Sequence, residues 1–257
     1  MTLRIATWNL ERPRADQSGK ISALESQMQE VDADIWILTE TNEAVRPGND
    51  YACVGTSTIR NPLTHTLGEN RVSIWSRLPI NSIVETHDPE TAACADIKTP
   101  FGSLLVYGTI IPYHAAGTTY SYRSQGVDVT NQKAWQLHYE SIRHHKKDWK
   151  RIRDDYPNHH FCCGGDFNQN RDGRRWYGTK YGRELLGDAL THNSLYCLTE
   201  EDFRKSGKLE SRANVDHLCL NQELTDRVVG VGAWEAGLLP NGRRLSDHNG
   251  VSVELRV

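Results

Sequence analysis

Five short clusters in the chain pair residue types that can do chemistry with a place to do it. They are Trp8-Asn9, Thr39-Glu40-Thr41-Asn42, Gly164-Gly165-Asp166-Phe167-Asn168, Asp216-His217 and Ser246-Asp247-His248-Asn249. Each stands at an end of an apolar, strand-like run, where side chains project into a rim or cleft. Glu40, Asp166, Asp216 and Asp247 are four carboxylates that strand ends could bring together. Like charges held that close repel, so a cation is expected among them. Oxygen donors alone favour a hard ion, Mg²⁺ or Mn²⁺. Asn9 and Asn168 add neutral oxygens and N–H donors that can ligate an ion or hold a phosphate oxygen without adding charge. His248 titrates near neutral pH, and a carboxylate such as Asp216 could fix its tautomer. Metal, anchored carboxylates, amides and one oriented histidine make a set suited to hydrolysing a phosphoester.

The elements that must position these groups can be read from periodicity. Residues 3–9 (LRIATWN) alternate and are β-rich, and 34–39 (DIWILT) form a short buried strand. Between them Ile21, Leu24, Met28 and Val31 recur at helical spacing, which predicts a helix over 18–31. Strand-like runs follow at 51–59, 71–76, 80–85, 91–97 and 103–109, close enough to suggest antiparallel meanders. Residues 112–130 are polar and rich in Gly, Ser and Tyr, and are read as a long loop. Helical spacing returns over 131–154 (Trp135, His138, Ile142, His145, Trp149, Ile152). Residues 160–163 read as a strand ended by a Gly-Gly break, and 215–220, 228–234 and 250–257 as the last strands. The order is not a regular βαβ alternation; it fits two packed sheets with helices outside.

The order of the clusters carries a resemblance. WN, then TE after the second strand, then GDFN, an internal VDH and a C-terminal SDH before a last strand resemble the endonuclease/exonuclease/phosphatase superfamily, which includes exonuclease III-like and pancreatic-type deoxyribonuclease enzymes. The segment from Asn70 to Pro79, with its strand ending in Ser76-Arg77, is similar too. The resemblance spans Trp8 to about Val251. It implies an α/β fold, a four-layer α/β/β/α sandwich of two packed mixed sheets forming one domain over 1–257, with the site at one edge of the sheets. It also implies roles. Glu40 would be the principal metal ligand with Asn9 beside it, and Asp247 a metal-side carboxylate. Asp166 and Asn168 would orient the attacking water and the scissile phosphate, and His248, paired with Asp216, would contact a phosphate oxygen. Asp166 and His248 both fit the part of general base. One departure stands out: where the family places a His or Tyr after the strand 103–109, this chain has Ile110, which donates nothing. Tyr113 or His114 could reach back from the following loop.

Composition bounds the rest. The chain has 257 residues, 30 Lys+Arg against 33 Asp+Glu, and a formal net charge of −3. Binding to nucleic acid through bulk charge is thereby excluded, and phosphate contacts must come from local patches or a metal. Such a patch follows GDFN, where Arg171, Arg174, Arg175, Lys180 and Arg183 interleave with Trp176, Tyr177 and Tyr181. Basic residues among aromatics suit a single strand or an extruded base. Arg171, Arg175 and Tyr113 are therefore the expected substrate contacts, and the 112–130 loop, with Tyr120, Tyr122 and Arg123, a second wall. The expected substrate is nucleic acid, most simply DNA, with a phosphorylated small molecule as the alternative. By contrast, the basic run Lys146–Arg153 falls mainly opposite an apolar stripe and reads as a solvated face, with His138 and His145 packed. The six Cys show no CxxC, which together with the missing leader pattern and membrane-length apolar run leads to an expectation of free thiols, cytoplasmic location and no membrane span.

Overall fold

The computed structural model describes residues 1–56, 67–118, 133–172 and 176–257. One six-stranded sheet is built from β1 (Thr2–Asn9), β2 (Ile35–Asn42), β3 (Ala52–Gly55), β4 (Glu69–Ser76), β11 (Val228–Trp234) and β12 (Gly250–Arg256), in the order β11-β12-β1-β2-β4-β3. The other contains β5 (Ile80–Val84), β6 (Ala92–Thr99), β7 (Gly102–Ile110), β8 (His160–Asp166), β9 (Leu195–Cys197) and β10 (Asp216–Asn221), in the order β5-β6-β7-β8-β10-β9. Each sheet is mixed: β1 and β2 run parallel, as do β7 and β8, and the remaining pairs are antiparallel. The helices are α1 (Ser18–Val31), α2 (Gln136–Asp155), α3 (Lys180–His192) and the single turn α4 (Gln222–Thr225).

The central strands read as unbroken apolar runs because both of their faces are covered. Between the sheets, Ile5, Ile35, Ile37, Val72, Ile74 and Val253 meet Ala95, Leu104, Val106, Cys162, Leu218 and Leu220. On the outer face of the first sheet, Leu24 and Met28 of α1 cover Trp8, Trp36 and Leu38. On the outer face of the second, Ile142, Trp149 and Ile152 of α2, with Leu186 and Leu190 of α3, cover Tyr107, Phe161 and Cys163. Each of these fully buried side chains stabilises the fold by roughly 1.5–3 kcal/mol relative to exposure. The layers are thus α/β/β/α, as the resemblance implies. All six Cys are free thiols, and no helix among the described residues is long and apolar enough to cross a membrane.

Two details differ from the sequence reading, and both bear on the site. Gly164-Gly165 does not end its strand: β8 continues through it to Asp166. Gly165 sits at φ 127°, and a Cβ there would stand 2.1 Å from the Thr109 carbonyl oxygen, so only glycine lets β7 and β8 stay paired up to Asp166. The stretch after GDFN, read as a basic and aromatic patch without a helix, turns into α3 at Lys180, where the Thr179 hydroxyl accepts from the Gly182 N–H as an N-cap.

Candidate active site

Strand register brings the second sheet's carboxylates to one level. Asp216 lies opposite Asp166 across the antiparallel β8–β10 pair, and Ile110 lies opposite Asp166 across the parallel β7–β8 pair. Asp166 is 1% exposed and accepts three N–H bonds. The Asn168 backbone N–H donates to Oδ1 at 2.8 Å, and the Asn168 and Asn9 amides donate to Oδ2 at 2.8 and 3.0 Å. The Asn168 amide also donates to the Ile111 carbonyl at 3.0 Å, which ties the segment after β7 to GDFN. Asn168 makes these contacts from a left-handed backbone, φ 49°.

His248 enters from the first sheet, just before β12. Its Nδ1 stands 2.7 Å from Asp216 Oδ2, and its Nε2 lies 4.0 Å from Asp166 Oδ2 and 3.9 Å from Asp247 Oδ1. The backbone around it is pinned to the end of β1. The Ser246 hydroxyl donates to the Asn9 carbonyl at 2.6 Å and accepts from the His248 N–H at 3.0 Å, while the Trp8 indole donates to the His248 carbonyl at 3.1 Å. These bonds explain why WN and SDH occur together. Among the described residues, Asp166, Asp216 and His248 are the trio of potential ligand side chains whose atoms all fall within 4.8 Å of one another.

The electrostatics of the trio couple two buried carboxyls to one imidazole. Burial pushes the Asp166 carboxyl up, and Asp216 and Glu40 add to that against the pull of His248. Burial also raises Asp216, whose Oδ1 has no hydrogen-bond partner among the described residues. Burial alone would lower His248, yet Asp216 and Asp166 together hold it well above the usual imidazole range. Its positive charge is what makes two buried carboxylates tolerable.

The expected metal ligands Glu40 and Asp247 lie outside this trio, at the rim on the first sheet. Glu40 takes a left-handed backbone, φ 45°, and its carboxylate meets the Arg12 guanidinium, with Nε 3.2 Å from Oε2. Arg12 also approaches Glu69, a buried carboxylate at the start of β4. The Asp247 side chain is half exposed, and its carbonyl accepts from Arg212 at 2.7 Å. Burial raises the Glu11 carboxyl, and Asp247 and Glu40 raise it further, so these negative charges crowd one end of the cleft. A pocket where carboxylates already repel one another, with the Asn9 amide oxygen beside Glu11, is chemically fit for a hard divalent cation. Sequence reasoning did not single out Glu11, Arg12 or Glu69. Their signal is tertiary, since Arg12 reaches Glu40 because its backbone N–H bonds the Glu40 carbonyl at 2.9 Å.

The opposite wall is aromatic. Tyr113 is exposed and stands near both Arg12 and Tyr177. The Tyr177 hydroxyl accepts from the His114 N–H at 3.2 Å and stands 2.7 Å from the His114 Nδ1. Burial raises Tyr177, and the Asp166 carboxylate is among the charges that add to this. Trp176 is half exposed and lies under the Arg204 guanidinium, 4.9 Å from its ring centre. Arg171, an expected substrate contact, is instead largely buried against α3, its Nη1 donating to the Arg183 carbonyl at 3.4 Å and its Nη2 lying 3.7 Å from Glu200. Arg174, Arg175, Tyr120, Tyr122 and Arg123 lie outside the described residues. Ile110 is buried, so no donor occupies the level of Asp166 on β7.

Comparison with known proteins agrees with the fold. The model of the Endonuclease/Exonuclease/phosphatase family matches residues 6–248. Similar solved structures include the endonuclease domain of TRAS1, a telomere-specific non-LTR retrotransposon (16% identity, TM-score 0.59, covering 100% of this chain and 99% of that one). An AP endonuclease from Archaeoglobus fulgidus is similar at 14% identity and TM-score 0.64, with 99% and 100% covered. So is the 3′ phosphatase NExo from Neisseria, solved with a product DNA hairpin, at 15% identity and TM-score 0.64 with the same coverage. No curated protein matches the chain in sequence.

Proposed function

The chain belongs to the Endonuclease/Exonuclease/phosphatase family, and from that premise we propose that it hydrolyses phosphodiester bonds of nucleic acid, DNA first, using a divalent cation, Mg²⁺ or Mn²⁺, held by Glu40, Asp247 and Asn9. Membership already makes it a phosphoester hydrolase; substrate and metal are the proposal. The observation that carries it is the line Asp216–His248–Asp166 across the two sheet edges.

His248 is the cation of that line. Asp216 holds Nδ1 and keeps the ring protonated, so Nε2–H can donate to a phosphate oxygen as charge builds on it. A ring so held is a poor proton acceptor. Asp166 suits the base role better: its carboxyl is raised toward neutrality by burial, and the Asn9 and Asn168 amides fix its orientation. It would take the proton of the attacking water, and Asn168 would hold that water and the phosphate in register. When bound, the cation supplies positive charge at the phosphate and acidifies water near it. Nucleic acid is favoured over a small ester by the exposed aromatics flanking the site, Trp176 with Arg204 and Tyr113, which suit stacking on bases. The similar structures named for endonucleases and for a DNA-bound phosphatase point the same way.

The test is a panel of labelled single- and double-stranded DNA and RNA, a generic phosphodiester and a phosphomonoester, with MgCl₂ or MnCl₂ and with EDTA. The expected result is metal-dependent cutting of a polynucleotide that weakens steeply with salt and is lost in Asp166→Ala. Turnover of the small esters alone would replace nucleic acid with a small phosphoester as substrate, and activity surviving in Asp166→Ala would overturn the assignment of the base.

A further inference from the structure

Arg12 is attached firmly and held loosely. Its root is fixed: the Arg12 N–H bonds the Glu40 carbonyl at 2.9 Å, and both Glu11 and Arg12 take left-handed backbone conformations, φ 53° and 47°, opposite Glu40 at φ 45°. Three neighbouring non-glycine residues in that region store strain, which persists only where surrounding structure enforces it. The effect is to set a guanidinium directly over Glu40. Its head is a different matter. The contacts to Glu40 are 3.2 Å from Nε and 3.5 Å from Nη2, and Glu69 is 3.7 Å away. Two residues further on, Arg14 grips Asp16 with both prongs at 2.9 Å, the ordinary fork. The Arg12 side chain is also 42% exposed.

We propose that Arg12 is a ligand for the substrate's phosphodiester oxygens which the metal-free protein parks on Glu40 as an internal counter-ion. This rests on the reading of Glu40 as a metal ligand. A divalent cation and a guanidinium compete for the same carboxylate, so metal arrival releases the Arg12 head while the backbone keeps its root at the cleft. The freed head stays beside Glu40, and its planar fork matches a phosphate's paired oxygens. The nearby Lys20 is differently engaged, bonded to the Glu11 carbonyl at 3.1 Å and near its carboxylate. Metal and phosphodiester therefore bind in a favoured order, metal first, each helping the other.

The experiment uses the full chain and reads binding rather than turnover. Mn²⁺ affinity is measured by calorimetry for wild type, Arg12→Gln, Arg12→Lys and Glu40→Gln. Affinity for a short labelled single-stranded oligodeoxynucleotide, and separately for bis(p-nitrophenyl) phosphate as competitor, is measured by fluorescence anisotropy with Ca²⁺ present or absent. Removing the rival charge should tighten Mn²⁺ about tenfold in Arg12→Gln, with Arg12→Lys close to wild type. The gain in oligonucleotide affinity that metal confers on wild type should shrink about tenfold in Arg12→Gln. Loss of oligonucleotide affinity with competition by the small diester unchanged would assign Arg12 to a nucleic-acid flank rather than the scissile phosphate, which also overturns the proposal. If Glu40→Gln abolishes Mn²⁺ binding while Arg12→Gln leaves it unchanged, the inference fails and the metal site stands. If Glu40→Gln changes nothing, the metal-site reading fails and takes the inference with it. Tighter metal with unchanged oligonucleotide binding would reduce Arg12 to a counter-ion.

Discussion

Two buried histidine–aspartate networks lie in the second sheet and its surroundings, built from the same residue types and brought to opposite states. In one, His248 bridges Asp216 and Asp166 at the sheet edge. In the other, His145 of α2 sits on β7 beneath the helix, with Nε2 2.9 Å from the Thr109 hydroxyl and Nδ1 3.2 Å from the Tyr107 hydroxyl. Tyr107 donates to Asp148 Oδ2 at 2.9 Å, the His87 N–H donates to the same oxygen at 3.0 Å, and Arg151 donates to Oδ1 at 2.7 Å. Every oxygen of Asp148 is used. Against the upward push of burial, the bonds from His87, Arg151 and Tyr107 hold Asp148 well below the usual carboxylate range. Burial, aided by His87, lowers His145 to about 3, so it is neutral. The edge network has the reverse signature: raised carboxyls, a charged imidazole and an orphaned Asp216 oxygen. A network that only holds the fold together can satisfy its members completely. One that must act on a ligand keeps charge in reserve and faces a cleft.

The largest effect expected from this contrast is on catalysis. Asp166→Asn should lower the rate of phosphoester hydrolysis by about 10²–10⁴-fold with a thermal melt as cooperative as wild type. A comparable loss of kcat in folded Asp148→Asn would erase the distinction between the networks. Next in size is stability. Asp148→Ala removes the carboxylate that accepts from Tyr107, the His87 N–H and Arg151, and should cost roughly 3 kcal/mol by denaturant unfolding, with kcat of the folded fraction little changed.

The pH dependence of stability sharpens the contrast further, because the two networks act at opposite ends. His145 has a folded pKa near 3, below an unfolded value of about 6.5. The unfolded chain therefore binds the extra proton, and stability falls as pH drops from about 6.5 toward 3. Asp148, held low, adds a loss in the same direction below about pH 4. His248 is held high, so its contribution is complete below about pH 6.5 and disappears as pH rises through its folded value. Denaturant midpoints measured across pH should show His145→Asn flattening the acid limb and His248→Asn the alkaline limb; the same limb responding to both would break the comparison. The smallest effect belongs outside both networks. Lys150 pairs with Asp154 on the solvated face of α2, and Lys150→Ala should change stability by no more than about 0.5 kcal/mol and leave oligonucleotide affinity as it was.

How much of this was legible beforehand depends on the range of the interaction that carries it. The helix over 18–31 and most strands follow from local periodicity, and α1 occupies the expected span. The helix α3 was hidden because the eye falls on the basic and aromatic residues of 171–183, although Leu186, Ala189 and Leu190 recur at helical spacing. β9 is three residues long, too short for any period to register. In the site, Asp166, Asn168, Asp216, His248 and Asn9 stand in the sequence at strand ends, and the structure joins them. Arg171 reads as a free cation in the sequence and is packed on α3 in the fold.

By itself the sequence determined most of the strands and the helices α1 and α2, the α/β class, and the set of side chains able to handle a phosphoester, because hydrophobic period, turn chemistry and motif order are local properties of the chain. Only the tertiary structure decided how charge is distributed among those side chains. Whether an imidazole is neutral or cationic, and whether an arginine lies on a carboxylate or against a helix, depends on burial and on partners far away in sequence, such as Asn9 on Asp166, 157 residues apart. Coulomb interactions and desolvation act through space between segments whose separation in sequence carries no information about their distance.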